Sequence, residues 1–189
     1  MNSIPFRARA DLFSKPGPGK PSNSGADRRK IRGSGDSMSM TESPVIRVCR
    51  LLNEAGARYL IIGGQACILH GLVRTTEDVD VLVEATEDNC RRVLDGLSRL
   101  EDGAARELTP ADLIENVVVK VADEVEVDVS THAWKVTYAE ALPGARRIEV
   151  AGVVIPYLGL DALIASKETS REQDVADRLR LLELKRRGY

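Results

Sequence analysis

Apolar residues along this chain change their spacing several times, and each change marks an element. From Ser43, "SPVIRVCRLLNEAG" sets apolar side chains at helical spacing behind a Ser N-cap and a Pro at the first helical position, with a Gly stop. Residues 58–62, "RYLII", are a short apolar run and predict a strand that ends at Gly63-Gly64. "QACILHG" predicts a short helix closed by Gly71. Residues 78–85, "DVDVLVEA", alternate with period two, the mark of a strand. Residues 86–100 return to helical spacing behind Thr86 as cap.

The second half repeats the alternation. Residues 116–130, "NVVVKVADEVEVDVS", predict a β-hairpin turning near Ala122-Asp123, and residues 146–159 predict another short strand pair. Two helices, 160–168 and 171–187, close the chain. There is no internal repeat. Helix, strand, short helix, strand, helix, hairpin, strands and helices in that order predict an α+β (α/β-like) domain, a small mixed sheet covered by helices.

Residues 1–40 lack any such pattern. "SKPGPGKPSNSG" is rich in Pro, Gly, Ser and Lys and cannot bury enough apolar surface to order itself, so 1–40 is expected to be a disordered basic tail. Met38 and Met40 lie just before the folded pattern and offer an alternative start; a transit peptide is a further reading of an Arg/Ser-rich, acid-poor segment.

Composition adjusts this picture little. The chain has 189 residues, 43% hydrophobic and 30% charged, which suits one globular domain. The tail's eight Lys/Arg against three Asp carry +5, so the rest carries −7 of the net −2, a poor match for general polyanion binding. No apolar run is long enough to span a membrane. Three cysteines without CxxC spacing point to reduced thiols and a cytoplasmic location. Two histidines, His70 and His132, give little basis for a zinc site.

The stretch from Gly63 to Val83, "GGQACILHGLVRTTEDVDVLV", carries the chemistry. Alternation puts Asp78 and Asp80 on one strand face, about 7 Å apart, with Val79, Val81 and Val83 on the other. Two such carboxylates repel unless a cation lies between them. Mg²⁺ prefers hard oxygen ligands and usually takes one or two protein carboxylates plus substrate phosphates. Gly63-Gly64, at a strand end and opening a helix, permits close approach of backbone to a ligand. The stretch has neither the P-loop pattern nor the GxGxxG of a dinucleotide fold.

Gly-Gly, a spacer, then Asp78-Val79-Asp80-Val81 resembles the nucleotidyltransferase signature. The longer form, with His70-Gly71, Arg74-x-Thr76 and Asp-x-Asp in register, is similar to small stand-alone nucleotidyltransferases, including AbiEii-type toxins of type IV toxin–antitoxin systems. It is more loosely similar to aminoglycoside and lincosamide nucleotidyltransferases. The resemblance covers roughly residues 43–187. It implies a polymerase-beta-like mixed sheet at 41–189 and Mg²⁺- or Mn²⁺-dependent transfer of a nucleoside monophosphate from an NTP to an acceptor hydroxyl.

It further implies that Asp78 and Asp80 hold metal, that Gly63 and Gly64 cradle phosphate, and that a third carboxylate joins them as ligand or base. Glu126 and Asp128 both fit that place; Asp128 is preferred for its position at the far end of the hairpin. "LIASKETSREQDVADRLRLL" implies that Lys167 touches phosphate, that Asp174 orients Lys167 or Arg171, and that Asp177 is structural. Arg74 either steadies the acidic strand or reaches a phosphate. His70 is read as a helix-end residue with local hydrogen bonds, Trp134 and Tyr138 as core aromatics that could instead stack a base, and the basic end of the last helix as a solvated face. Implied partners are an NTP, an acceptor on tRNA or a protein, and an antitoxin encoded nearby. A non-catalytic member of the fold and an antibiotic nucleotidyltransferase are the alternatives.

Overall fold

The computed structural model describes residues 42–188, and the tail read at 1–40 lies outside them. Helix α1 (Pro44–Glu54) starts at the Ser-Pro signal and turns Val48, Cys49 and Leu52 inward; Ser43 makes no side-chain cap bond. Strand β1 (Tyr59–Ile61) runs straight into α2 (Gly63–Leu69), so the helix includes both glycines rather than following them. Strand β2 (Val79–Val83) leads to α3 (Glu87–Leu97), whose cap Thr86 accepts from the Asn89 backbone N–H at 3.3 Å. A 3₁₀ turn at Ala104–Glu107 and α4 (Pro110–Glu115) follow.

The predicted hairpin is β3 (Val118–Ala122) and β4 (Glu126–Ser130). Next come a miniature hairpin, β5 (His132–Ala133) and β6 (Val136–Thr137), and the single-turn α5 (Tyr138–Ala141). Strands β7 (Arg146–Val150) and β8 (Val153–Tyr157) form the last pair, before α6 (Leu160–Ser166) and α7 (Glu172–Arg186). Six strands make one mixed sheet in the order β3-β4-β2-β1-β8-β7. The expected α+β architecture, a small mixed sheet flanked by helices with two helices at its C-terminal end, is present.

Each sheet face has its own core. Val79, Val81, Val83, Val127 and Val129 pack with Cys49, Leu52, Cys90, Val93 and Leu113 of α1, α3 and α4. Leu60, Leu82 and Leu158 pack on the opposite face with Ala66, Cys67, Leu163 and Leu181. The five valines are at most 1% exposed, and burial of each contributes about 1.5–3 kcal/mol. That burial pins the register, because a one-residue slip would drive the intervening carboxylates under α1 and α3. Cys49, Cys67 and Cys90 are all buried, unpaired thiols. No described helix is long and apolar enough to cross a membrane.

Candidate active site

The pairing of β2 with β4 is parallel and sets Asp80 directly opposite Asp128. On the far side of β4, antiparallel pairing sets Lys120 opposite Asp128. Lysine, aspartate and aspartate thus form one row across three strands. Asp78 lies just before β2 and two residues from Asp80, so it extends the acidic face. Between the two candidates for the third carboxylate, register brings Asp128 to Asp80. Glu126 is the more exposed and is held by Lys120 at 3.0 Å. Glu124 has turned away to Arg47, 2.7 Å distant.

The row is electrostatically unsettled. Burial, and next the charge of Asp128, push the Asp80 carboxyl above the ordinary carboxylate range; Lys167 and the Gly64 backbone N–H pull the other way. Asp78 is also raised, by desolvation and by sharing a hydrogen bond with Glu126. Asp128 Oδ1 is buried and has no hydrogen-bond partner; the Lys120 ammonium is 3.6 Å away.

Two glycines make room for this row. Gly63 has φ +58, and a Cβ there would lie 2.0 Å from Asp80 Oδ2. Only glycine combines that backbone with that approach. A Cβ on Gly64 would lie 2.7 Å from Thr76 Oγ1 and 2.9 Å from Arg74 Cζ. The Gly-Gly pair therefore seats Asp80 on one side and Arg74 with Thr76 on the other.

A second ionic cluster lies beside the first. Lys167 Nζ is 2.7 Å from Asp174 Oδ1 and 3.4 Å from Asp177 Oδ2. Arg74 reaches the same Asp177 oxygen at 2.5 Å. Thr169 donates to Asp174 Oδ2 at 2.6 Å, and Gln173 donates to Asp177 Oδ1 at 3.0 Å. Despite desolvation, the bonds from Lys167 and Thr169 hold the Asp174 carboxyl below its ordinary range. Arg74 pairs with α7 rather than with the acidic strand. Asp177 is fully buried and joins Arg74 and Lys167.

One open cleft of about 550 Å³ is lined by Gly63, Gly64, Arg74, Asp78, Asp80, Asp128, Lys167 and Asp174 together. All eight candidate site residues meet there, although they come from four elements and two connecting segments. A separate cavity of about 580 Å³, beside Arg58, Tyr138 and Arg147, contains none of them.

Among the described residues, no three His, Cys, Asp or Glu side chains already converge into an ion cage. Lys120 stands among the carboxylates instead, 3.9 Å from Asp78 and 3.6 Å from Asp128. The donor set still fits a hard divalent cation. Mg²⁺ needs only one or two protein carboxylates when phosphate supplies the rest, and Asp80 and Asp128 are register partners of which Asp128 keeps an unpartnered buried oxygen.

The lining also includes Trp134, Arg171 and Thr76, which the sequence reading named without making them site residues, and Ser130, Thr169 and Gln173, which it did not single out. Trp134 is 54% exposed and stands in the cleft, whereas Tyr138 is buried as a core aromatic. Arg171 is the cleft's most exposed cation, 4.0 Å from Asp174. Of the two aromatics read as core residues that could instead stack a base, Trp134 is the exposed one, in the turn between two strands too short to show a period.

His70 is buried, with Nε2 2.8 Å from the Leu158 carbonyl and its ring edge-on to Tyr157. Burial lowers its pKa, and its hydrogen bond reaches across the fold rather than locally, which suits a scaffold residue. The basic end of α7 is largely paired with acids: Arg178 with Glu168 at 2.9 Å, Lys185 with Asp161 at 2.7 Å, and Arg187 with Glu183.

No family model matches the chain, and no curated protein matches it. Among solved structures it is similar to an antigenic nucleotidyltransferase-like protein from Paracoccidioides brasiliensis, at 18% identity over 74% of each chain with a TM-score of 0.47. A likeness of that degree leaves the chemistry to be argued from the site itself.

Proposed function

We propose that this protein is a Mg²⁺-dependent nucleotidyltransferase that moves a nucleoside monophosphate from an NTP to an acceptor hydroxyl. The observation that carries the reading is the register pair Asp80–Asp128, extended by Asp78, in a cleft that also holds the glycine pair and several cations. Asp78, Asp80 and Asp128 would hold the metal, Mg²⁺ or Mn²⁺. When bound, the cation stabilises negative charge on the triphosphate and on the attacking oxygen.

The chain's own residues account for the rest. The unpartnered Asp128 Oδ1 takes the proton of the acceptor hydroxyl. The acceptor oxygen then bonds to the α-phosphorus, the bond to the bridging oxygen breaks, and pyrophosphate leaves. Gly63 and Gly64 give backbone-close access to phosphate, and Arg171 and Lys167 offset its charge. Arg74 and Asp174 hold Lys167 in place through the second cluster. The acceptor is taken to be RNA or a protein, in keeping with a compact, toxin-like nucleotidyltransferase that an antitoxin would restrain.

The test is incubation of the purified protein with each labelled NTP, Mg²⁺ and total tRNA, beside Asp80→Asn. Label passing to RNA or protein in wild type and lost at least a thousandfold in the variant supports the reading. Absence of both label transfer and Mg–NTP binding sinks it. A second reading, a non-catalytic binding partner with the same fold, is favoured by Lys120, which already pairs with Asp78, Glu126 and Asp128. The same assay separates the two.

A further inference from the structure

We infer that Trp134 is the platform on which the base of the nucleoside triphosphate stacks; this rests on the nucleotidyltransferase reading and deepens it. Trp134 and Lys135 form the two-residue turn between β5 and β6. Trp134 has φ +59, a left-handed backbone conformation that a bulky side chain rarely adopts and that glycine adopts freely. The turn is not loose. Ala133 and Val136, immediately on either side, are buried in the core formed with Leu60, Leu82 and Leu158. A rigid mount therefore holds an indole in a strained conformation and 54% exposed, inside the cleft of the acid row. Strain of this kind persists where the surrounding structure over-determines it, and it concentrates at ligand sites.

The wall around the indole suits a base. Val117 and Val118 line the same cleft and are largely exposed apolar side chains. Val118 pairs with Ser130, two residues before β5, which puts this apolar rim at the β3 edge of the sheet. The glycine pair follows β1, three strands further in, a distance on the order of 14 Å at ordinary strand spacing. The acidic row lies between. The apolar valines stand at the edge, the indole rises from a hairpin packed on β1 and β2, and the acid row and the glycines with their cations line the same cleft, so base, metal-binding phosphate and triphosphate tail each meet a matching surface. Stacking is tolerant of base identity because every base has a π face, so Trp134 contributes affinity more than discrimination.

Trp134 is the chain's one tryptophan, so its fluorescence reports this site alone. The full chain is titrated with Mg–ATP, Mg–GTP, Mg–CTP, Mg–UTP and Mg–triphosphate, with fluorescence and calorimetry read together. Each NTP is expected to quench Trp134, purines most strongly, while base-free triphosphate binds without quenching. Trp134→Gly is expected to melt at a higher temperature, through relief of the turn, and yet to bind NTP about tenfold to a hundredfold more weakly. Trp134→Phe should keep most of the affinity, and neither variant should alter triphosphate binding. Calorimetric NTP binding without quenching, or unchanged NTP affinity in Trp134→Gly, overturns the stacking role and leaves the nucleotidyltransferase reading standing. Quenching by RNA but not by NTP also overturns it. No NTP binding at all removes the reading on which it rests.

Discussion

Two ionic clusters share one cleft, and they are built on opposite terms. The cluster between α2 and α7 is balanced: Arg74 and Lys167 face Asp174 and Asp177, and all four carboxylate oxygens have partners. The row on the sheet is acid-heavy. Asp78 and Asp128 share Lys120, which must also serve Glu126, Asp80 has no ion-pair partner among the described residues, and Asp128 Oδ1 is left without a hydrogen bond. The same chemistry of Lys with Asp thus yields a finished scaffold in one place and an uncompensated field in the other. Buried polar groups are nearly always satisfied in folded proteins, and the exceptions cluster where function requires them. The difference separates a cluster already satisfied within the chain from one whose charge a bound cation would complete.

The largest effect should come from removing the same residue type in each cluster. Lys167 is 7% exposed. Replacing it with Met leaves two buried aspartates facing one arginine, and breaking a buried ion pair from one side costs about 3–5 kcal/mol. Lys167→Met is expected at the lower end, since Thr169, Gln173 and Arg74 remain, and urea unfolding would measure it. Lys120 is half-exposed, and surface ion pairs add little stability. Lys120→Met should leave the unfolding midpoint near that of wild type. Equal losses in the two variants would erase the distinction between the clusters.

A smaller effect tests the contact between the glycine pair and the acid row. Gly63→Ala meets two penalties, a left-handed backbone worth about 1–2 kcal/mol and a Cβ 2.0 Å from Asp80 Oδ2. Gly71 also has positive φ, +93, but a Cβ there meets nothing within 4 Å. Gly71→Ala therefore measures backbone strain alone. Gly63→Ala should lose roughly 1 kcal/mol more and should weaken the stabilisation that added Mg²⁺ gives, because Asp80 must move. Matching losses in both variants, with Mg²⁺ still stabilising both, would falsify the seating of Asp80 by Gly63.

Most of the acid row could be read from alternation, whereas the members of the balanced cluster were named only through the resemblance and their mutual pairing could not be read. Period-two alternation fixes which face a residue takes, so Asp78, Asp80 and Asp128 could be placed opposite the valines before any pairing was known. It does not fix which strands meet. That Asp80 and Asp128 are partners, and that Lys120 completes their row, depends on a parallel pairing between strands more than forty residues apart. The balanced cluster is harder still. Asp177 sits mid-helix in a polar-looking segment, and nothing local distinguishes a fully buried aspartate from a solvated one. Its burial follows from Arg74, more than a hundred residues earlier, folding over it. Helix α4, the β5–β6 hairpin and α5 went unread because each is too short to establish a period.

The smallest effect is the one that separates the clusters by sign. Asp174 has a folded-state pKa below its unfolded value, so it stabilises the fold above the unfolded value, and that contribution is lost as pH falls through the folded one. Asp80 is shifted upward, so its favourable contribution exists below the unfolded value and is lost as pH rises through the folded one. Near neutral pH, ionised Asp80 therefore works against folding. In metal-free buffer at about pH 7, Asp174→Asn should be less stable than wild type, while Asp80→Asn should be more stable by about 1 kcal/mol. Asparagine Oδ1 can still accept from the Gly64 N–H, so little else changes at that position. The Asp80 difference should shrink as pH falls into the ordinary aspartate range, whereas the Asp174 difference should persist to lower pH because its carboxyl is held below that range. Adding Mg²⁺ should stabilise wild type but not Asp80→Asn, since a ligand that binds only the folded state raises its stability. Urea midpoints across this pH range, with and without Mg²⁺, measure all three trends. If both substitutions shift stability in the same direction, the acid row is no more frustrated than its neighbour, and the argument that it is the reactive half of the cleft fails.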